Sequence, residues 1–138
     1  MNHETLFSLV NMIVLPQWLL MIVAPRWKGT QWLTRSFIIP LLLSVAYIAF
    51  LFMAGGVDFQ AFSQLNTLQV LFEDPVLVLG GWVHYLAFDL VVGSWILWDS
   101  QTKGINHLLI VPCLLLCFLM GPVGFLLYQL ISRITQKK

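Results

Sequence analysis

Charge is what this chain has least of. Only 9% of its 138 residues are Asp, Glu, Lys or Arg, against about 25% in a soluble domain. No stretch remains from which a water-soluble domain would be built. The net charge is +1 and no soluble segment carries a basic cluster, so no nucleic-acid partner is expected. Cysteine is scarce too. Cys113 and Cys117 are the two, one helical turn apart, a spacing that rarely closes a disulfide, and no redox compartment follows from them. No paired Glu-x-x-His motif occurs, so no metal is expected. Phosphate loops and the other cofactor motifs are missing as well, so no cofactor is expected.

Apolar residues fill the space: 59% of the chain is hydrophobic. Thr5–Pro25, Ser36–Val57 and Leu108–Ser132 are uncharged runs, and Leu77–Trp98 is interrupted only by Asp89. Each reaches the roughly 20 residues that a spanning helix needs. Backbone polar groups must be satisfied internally in lipid. The expectation is an all-α, four-helix integral membrane bundle, one transmembrane domain over residues 1–138. Its helices fall at about 5–24, 34–54, 76–99 and 107–132. Thr5–Pro25 lacks a basic region before it and reads as the first mature helix, not as a signal peptide.

Residues 59–72 are too few and too polar to span. Ala61, Phe62, Leu65, Leu68 and Phe72 recur at helical spacing, which predicts a short helix lying in the membrane interface. Asp74-Pro75 opens the third long helix, since proline suits a first turn. Gly121-Pro122 predicts a kink in the fourth. Cys113, Cys117, Gly121, Gly124 and Tyr128 form a ridge of mostly small residues, suited to close helix packing. Arg26, Lys28, Arg35 and Lys103 fall on one side of such a bundle and Arg133, Lys137 and Lys138 on the other. That balance gives no orientation by the excess of positive charge.

The third helix carries the unusual chemistry. A carboxylate at mid-bilayer costs at least about 2.5–3.5 kcal/mol on insertion scales and is a functional-site hypothesis by default. Asp89 sits near the centre of Gly81–Ser100, with His84 and Tyr85 a turn or more before it. At 100° per residue, with His84 at 0°, Trp95 falls near ~20°, Phe88 ~40°, Tyr85 ~100°, Asp89 ~140° and Trp82 ~160°. Val83, Leu86, Ala87, Leu90 and Leu97 share the opposite arc. The expectation is that this greasy arc meets lipid and that the polar, aromatic arc faces the interior. His84, Tyr85 and Asp89 would then address one cavity, with Asn11, Gln17 or Tyr47 in reach. Asp99 and His107 are expected to form a second polar pair across the last turn.

Two readings stand for Asp89, His84 and Tyr85. One is a buried hydrogen-bond network that locks the bundle. The other is acid–base chemistry on an apolar substrate, because a carboxyl beside an imidazole or a phenol can both donate and accept protons. A small transporter fits least, with no inverted repeat in view.

Three stretches resemble a known family. Asn11-Met-Ile-Val-Leu-Pro-Gln-Trp-Leu-Leu-Met-Ile-Val-Ala-Pro-Arg-Trp27 is similar to its first helix. Gly81–Ser100 resembles its central Trp-x-His-x-x-Ala-x-Asp-Leu segment, and Cys113–Tyr128 its closing helix. The family is the group of membrane proteins named for abscisic acid deficiency, the neoxanthin-synthase type. The resemblance implies a four-helix membrane protein that acts on a carotenoid or related isoprenoid. In plants the family is required to turn the di-epoxide violaxanthin into allenic neoxanthin, a redox-neutral isomerisation. Asp89 and His84 occupy its motif positions. On this reading Asp89, His84 and Tyr85 are candidate catalytic residues. Trp82, Phe88, Trp95, Asn11, Gln17 and Tyr47 are candidate substrate contacts. The alternative is a non-catalytic pigment-binding or assembly subunit of a membrane (photosynthetic) complex or of a homo-oligomer. Without an Arg- and Ser-rich transit segment, the expected site is a bacterial or cyanobacterial inner or thylakoid membrane.

Overall fold

The computed structural model describes residues 2–56 and 58–136. Lys137 and Lys138, counted above for orientation, lie outside them. Among the described residues there is no strand. The helices are α1 (His3–Val23), α2 (Lys28–Ser36), α3 (Ile38–Met53), α4 (Leu65–Leu71), α5 (Pro75–Thr102) and α6 (His107–Gln136), with a 3-10 turn at Phe59–Ser63. Four helical stretches are long and apolar enough to cross a membrane: α1, α2 with α3, α5 and α6. The architecture is that of an all-α integral membrane protein.

α2 and α3 are not the single helix expected from about residue 34. Helix starts earlier, at Lys28, and breaks at Phe37, whose φ of 52° is left-handed. Pro40 explains the break. It has no N–H to give and its ring crowds the carbonyl four residues back, so α3 restarts with Pro40 among the first residues, where N–H groups have no helical partner anyway. Phe37 is held edge-on against Trp98, with ring centres 5.1 Å apart. The segment after α3 also departs from one interfacial helix. Gln64 is extended, with φ −139°, and separates the 3-10 turn from α4.

α5 is the hub, packing against α1, α3 and α6. α1 runs parallel to it: Asn11 meets Trp82, Gln17 meets Ser94, and the Pro25 carbonyl meets Gln101. α3 runs antiparallel, from Phe37 beside Trp98 to Tyr47 beside His84. This arrangement reverses part of the expected facing of α5, although Asp89 is buried as expected. Val83, Leu86, Ala87, Leu90 and Leu97 are buried in the core, while His84 and Phe88 point outward. The greasy arc is the one that packs on the three neighbours. In lipid that packing, not apolarity, decides which face turns inward.

α6 is not one straight helix. Met120 leaves helical geometry at φ −149°, ψ 68°, and the chain turns back on itself. In the first arm, residues 107–119, His107 pairs with the Ile22 carbonyl at 2.9 Å and Phe118 tilts against Trp18 at 5.5 Å. In the second, residues 121–136, Phe125 and Tyr128 pack on Trp95, and Ser132 Oγ accepts from Lys103 Nζ at 3.0 Å. His107 and Ser132 thus sit at the same end of α5. Thirteen residues of helix rise only about 20 Å, short of a hydrocarbon core about 30 Å thick. The helix expected over 107–132 is therefore a bent-back pair of arms, not a straight rod. Gly121-Pro122 does more than kink the helix, because Cys113, Cys117 and Gly124 are small enough for the two arms to meet main chain to main chain.

Candidate functional site

The hairpin tip of α6 ends beside Asp89. This residue is 8% exposed. Its carboxylate lies on Gly121, where any Cβ would collide with Oδ1. Its Oδ2 is buried and finds no hydrogen-bond partner among the described residues. The Asp89 carbonyl receives a long contact from Cys117 Sγ at 3.7 Å. Tyr85, one turn earlier, donates its hydroxyl to the Leu119 carbonyl at 2.9 Å, two residues before the Gly121 on which the carboxylate lies. That carbonyl is free to accept because the break at Met120 takes away its helical donor.

A crevice lies beyond the tip, and Tyr85, which bonds to the tip, is part of its lining. Beyond the tip, toward Pro75, no α6 covers α5. A cavity of about 370 Å³ opens there, lined by Phe7, Phe72, Leu79, Gly81, Trp82 and Tyr85 among others. Trp82 stacks on Tyr85, with ring centres 5.4 Å apart and planes 27° apart, and tilts against Phe7 at 5.5 Å. The Trp82 indole N–H donates to Asn11 Oδ1 at 3.1 Å, which fixes the aromatic wall to α1.

His84 belongs to a different neighbourhood. It is exposed on the α3 side, stacked on Tyr47 at 5.5 Å, with Phe88 edge-on at 4.9 Å. A smaller cavity of about 160 Å³ lies there beneath Phe62, Leu71 and Phe72. Phe72 reaches over Gly81, where a Cβ would stand 3.1 Å from its ring, and lines both cavities. The single cavity expected for His84, Tyr85 and Asp89 is thus not formed: His84 lines one cavity, Tyr85 the other, and Asp89 neither. The turn between His84 and Asp89 on α5, about 140°, sends one residue toward α3 and the other toward α6.

The remaining candidates scatter. Phe88 points outward, and Trp95 is exposed beside Phe125 and Tyr128. Gln17 donates to Ser94 Oγ at 3.0 Å and does not reach Asp89. Asp99 and His107 are not partners. Asp99 accepts from Tyr128 and from Lys103 at 2.5 Å, while His107 goes to the Ile22 carbonyl of α1. The fold-back brings Tyr128 to Asp99, a neighbour no straight helix would supply. No group of three or more His, Cys, Asp or Glu gathers as a metal site among the described residues. Leu119, Gly121 and Phe7 complete the site and were not singled out for it from the sequence. Gly121-Pro122 carried a signal; Phe7 carried none.

The family model described as ABA DEFICIENT 4-like matches residues 5–128. No curated protein and no solved structure matches the chain.

Proposed function

The chain belongs to the ABA DEFICIENT 4-like family, and from that footing we propose that it is a membrane-embedded isomerase acting on a carotenoid or related isoprenoid. One observation carries the proposal. Asp89, buried with an unpartnered Oδ2, lies one helical turn from Tyr85, whose ring lines an aromatic crevice.

The chemistry is redox-neutral. When an epoxide opens to an allenic alcohol, the ring C–O bond breaks and its oxygen takes a proton. A proton leaves a nearby carbon, and the C–H electron pair becomes the new C=C bond. On this reading Tyr85 protonates the oxygen and Asp89 removes the carbon-bound proton. The proton gained by Asp89 then returns to Tyr85, which restores both groups. A positioned acid or base contributes typically about 10²- to 10⁴-fold. The oxygenated ring would sit in the crevice against Trp82, and the polyene would run along the outer face of α5 past Phe88 and Trp95. From Leu79 to Trp95 that face is roughly 24 Å long at 1.5 Å per residue, close to the length of a polyene rod.

The second reading is a pigment-binding or assembly subunit. The outward row of His84, Phe88 and Trp95 favours it, because such a row can hold a polyene without any proton transfer. Expression in a host that accumulates an epoxy-carotenoid separates the two. The isomerase reading expects a product of unchanged mass with a shifted visible spectrum. Unaltered pigment that co-purifies with the protein would favour the binding subunit instead.

A further inference from the structure

The fold-back of α6 sorts the charges of the chain. Arg26 and Lys28 follow α1, Arg35 ends α2, and Lys103 follows α5. These share one end of the bundle, where Gln31, Gln101 and the Pro25 carbonyl are hydrogen-bonded together. On a straight α6, Arg133 would stand at the far end. The bond from Lys103 to Ser132 brings it to this end instead. Every Lys and Arg among the described residues is therefore at one end. Glu4, Asp58, Glu73 and Asp74 occupy the other, at the start of α1 and around α4. The basic end also presents Trp27 and Trp32, both exposed, as aromatic side chains do at a headgroup boundary.

We infer that the basic end faces the cytoplasm, so that α1 begins outside and α6 both enters and leaves from inside. Excess Lys and Arg in short connections marks the cytoplasmic side, and anionic lipids of that leaflet attract such residues. Asn2 and Gln136 then lie on opposite sides of the membrane, whereas four straight crossings would put them on the same side. The crevice over Tyr85 lies in the acidic half of α5 and opens to the outer leaflet alone. On the isoprenoid reading, substrate arrives from that leaflet; the sidedness itself does not depend on that reading.

Single cysteines at exposed, uncharged positions test this without altering the charge pattern. Ser63→Cys reports the acidic end, and Thr102→Cys and Thr135→Cys report the basic end. The full chain is expressed in bacterial cells and treated with a membrane-impermeant maleimide before and after permeabilisation. The native Cys113 and Cys117 are buried, and the unaltered chain supplies the blank. The expected result is labelling of Ser63→Cys in intact cells, with Thr102→Cys and Thr135→Cys labelled only after permeabilisation. Labelling of Thr135→Cys together with Ser63→Cys in intact cells would mean that α6 crosses the bilayer. Thr102→Cys labelled from outside, or any position labelled from both sides, would overturn the orientation. Labelling is blind to pigment chemistry, so its failure would leave the isomerase reading standing, and the converse holds.

Discussion

Gly124 lies against the main chain of Cys117, and of Cys113 before it. On a straight helix these residues stand about 10 Å and 16 Å from Gly124 along the axis. Their contact is the geometric signature of the α6 hairpin, and the hairpin is what carries Gly121 to Asp89, Leu119 to Tyr85 and Tyr128 to Asp99.

Gly124 has no room for a methyl group, because the atoms in the way are backbone rather than a movable side chain. Gly124→Ala is expected to destabilise the fold by at least about 1–3 kcal/mol, the range for overpacking. Unfolding in mixed micelles would read it. An alanine variant as stable as the wild type would argue against two arms in contact.

Asp99 offers a second check on the same hairpin. It accepts from Tyr128 and Lys103, and His107 is bonded elsewhere. Hydrogen bonds to a charged group are worth about 1.5–3 kcal/mol. Tyr128→Phe should cost an amount in that range and be strongly non-additive with Asp99→Asn. His107→Ala should be additive with Asp99→Asn, because the two share no partner. Unfolding of the double mutants decides it, and coupling between His107 and Asp99 would contradict the structure.

Much of the fold was legible because the bilayer imposes simple rules. Low charge, run length and the Asp74-Pro75 start were enough to locate α1, α5 and α6. The Phe37 break was hidden because a proline near a helix start and one inside a helix look alike in sequence. The facing of α5 was misread for a physical reason. Amphipathicity marks the core of a soluble helix, but inside lipid both faces of α5 are tolerated, and the packing of Leu86 and Leu90 decides. Asp89 announced itself through its desolvation cost. Its neighbours did not, because a glycine and a carbonyl at residues 121 and 119 become site atoms only once α6 turns back. The ridge from Cys113 to Tyr128 held that information, but it reads equally well as a surface for another helix.

The two neighbourhoods of α5 make His84 and Tyr85 separable. His84→Phe keeps the stack on Tyr47 and lies on the α3 side, away from the Asp89 carboxylate. It is expected to leave turnover within a few-fold of wild type. Tyr85→Phe keeps the stack on Trp82 and removes the hydroxyl. It is expected to lower turnover by about 10²- to 10⁴-fold, the usual range for a lost acid or base. Initial rates in membranes carrying equal amounts of each variant measure both. Equal damage from the two would mean that His84 and Tyr85 serve one site after all.

Asp89→Asn is the most direct test of the central claim, that this carboxylate moves a proton. Asparagine is nearly isosteric and removes the costly ionisable group, so the variant is expected to fold and insert at least as well as the wild type. Asp89→Leu is the steric control, since a branched side chain would have to fit against Gly121, where the flat carboxylate already lies, and should destabilise the protein. The measurement is the carotenoid profile of a host that expresses wild type and Asp89→Asn at equal levels. The account predicts that the isomer made by the wild type disappears with Asp89→Asn while the amount of folded protein in the membrane is unchanged. An Asp89→Asn profile identical to that of an active wild type would contradict it.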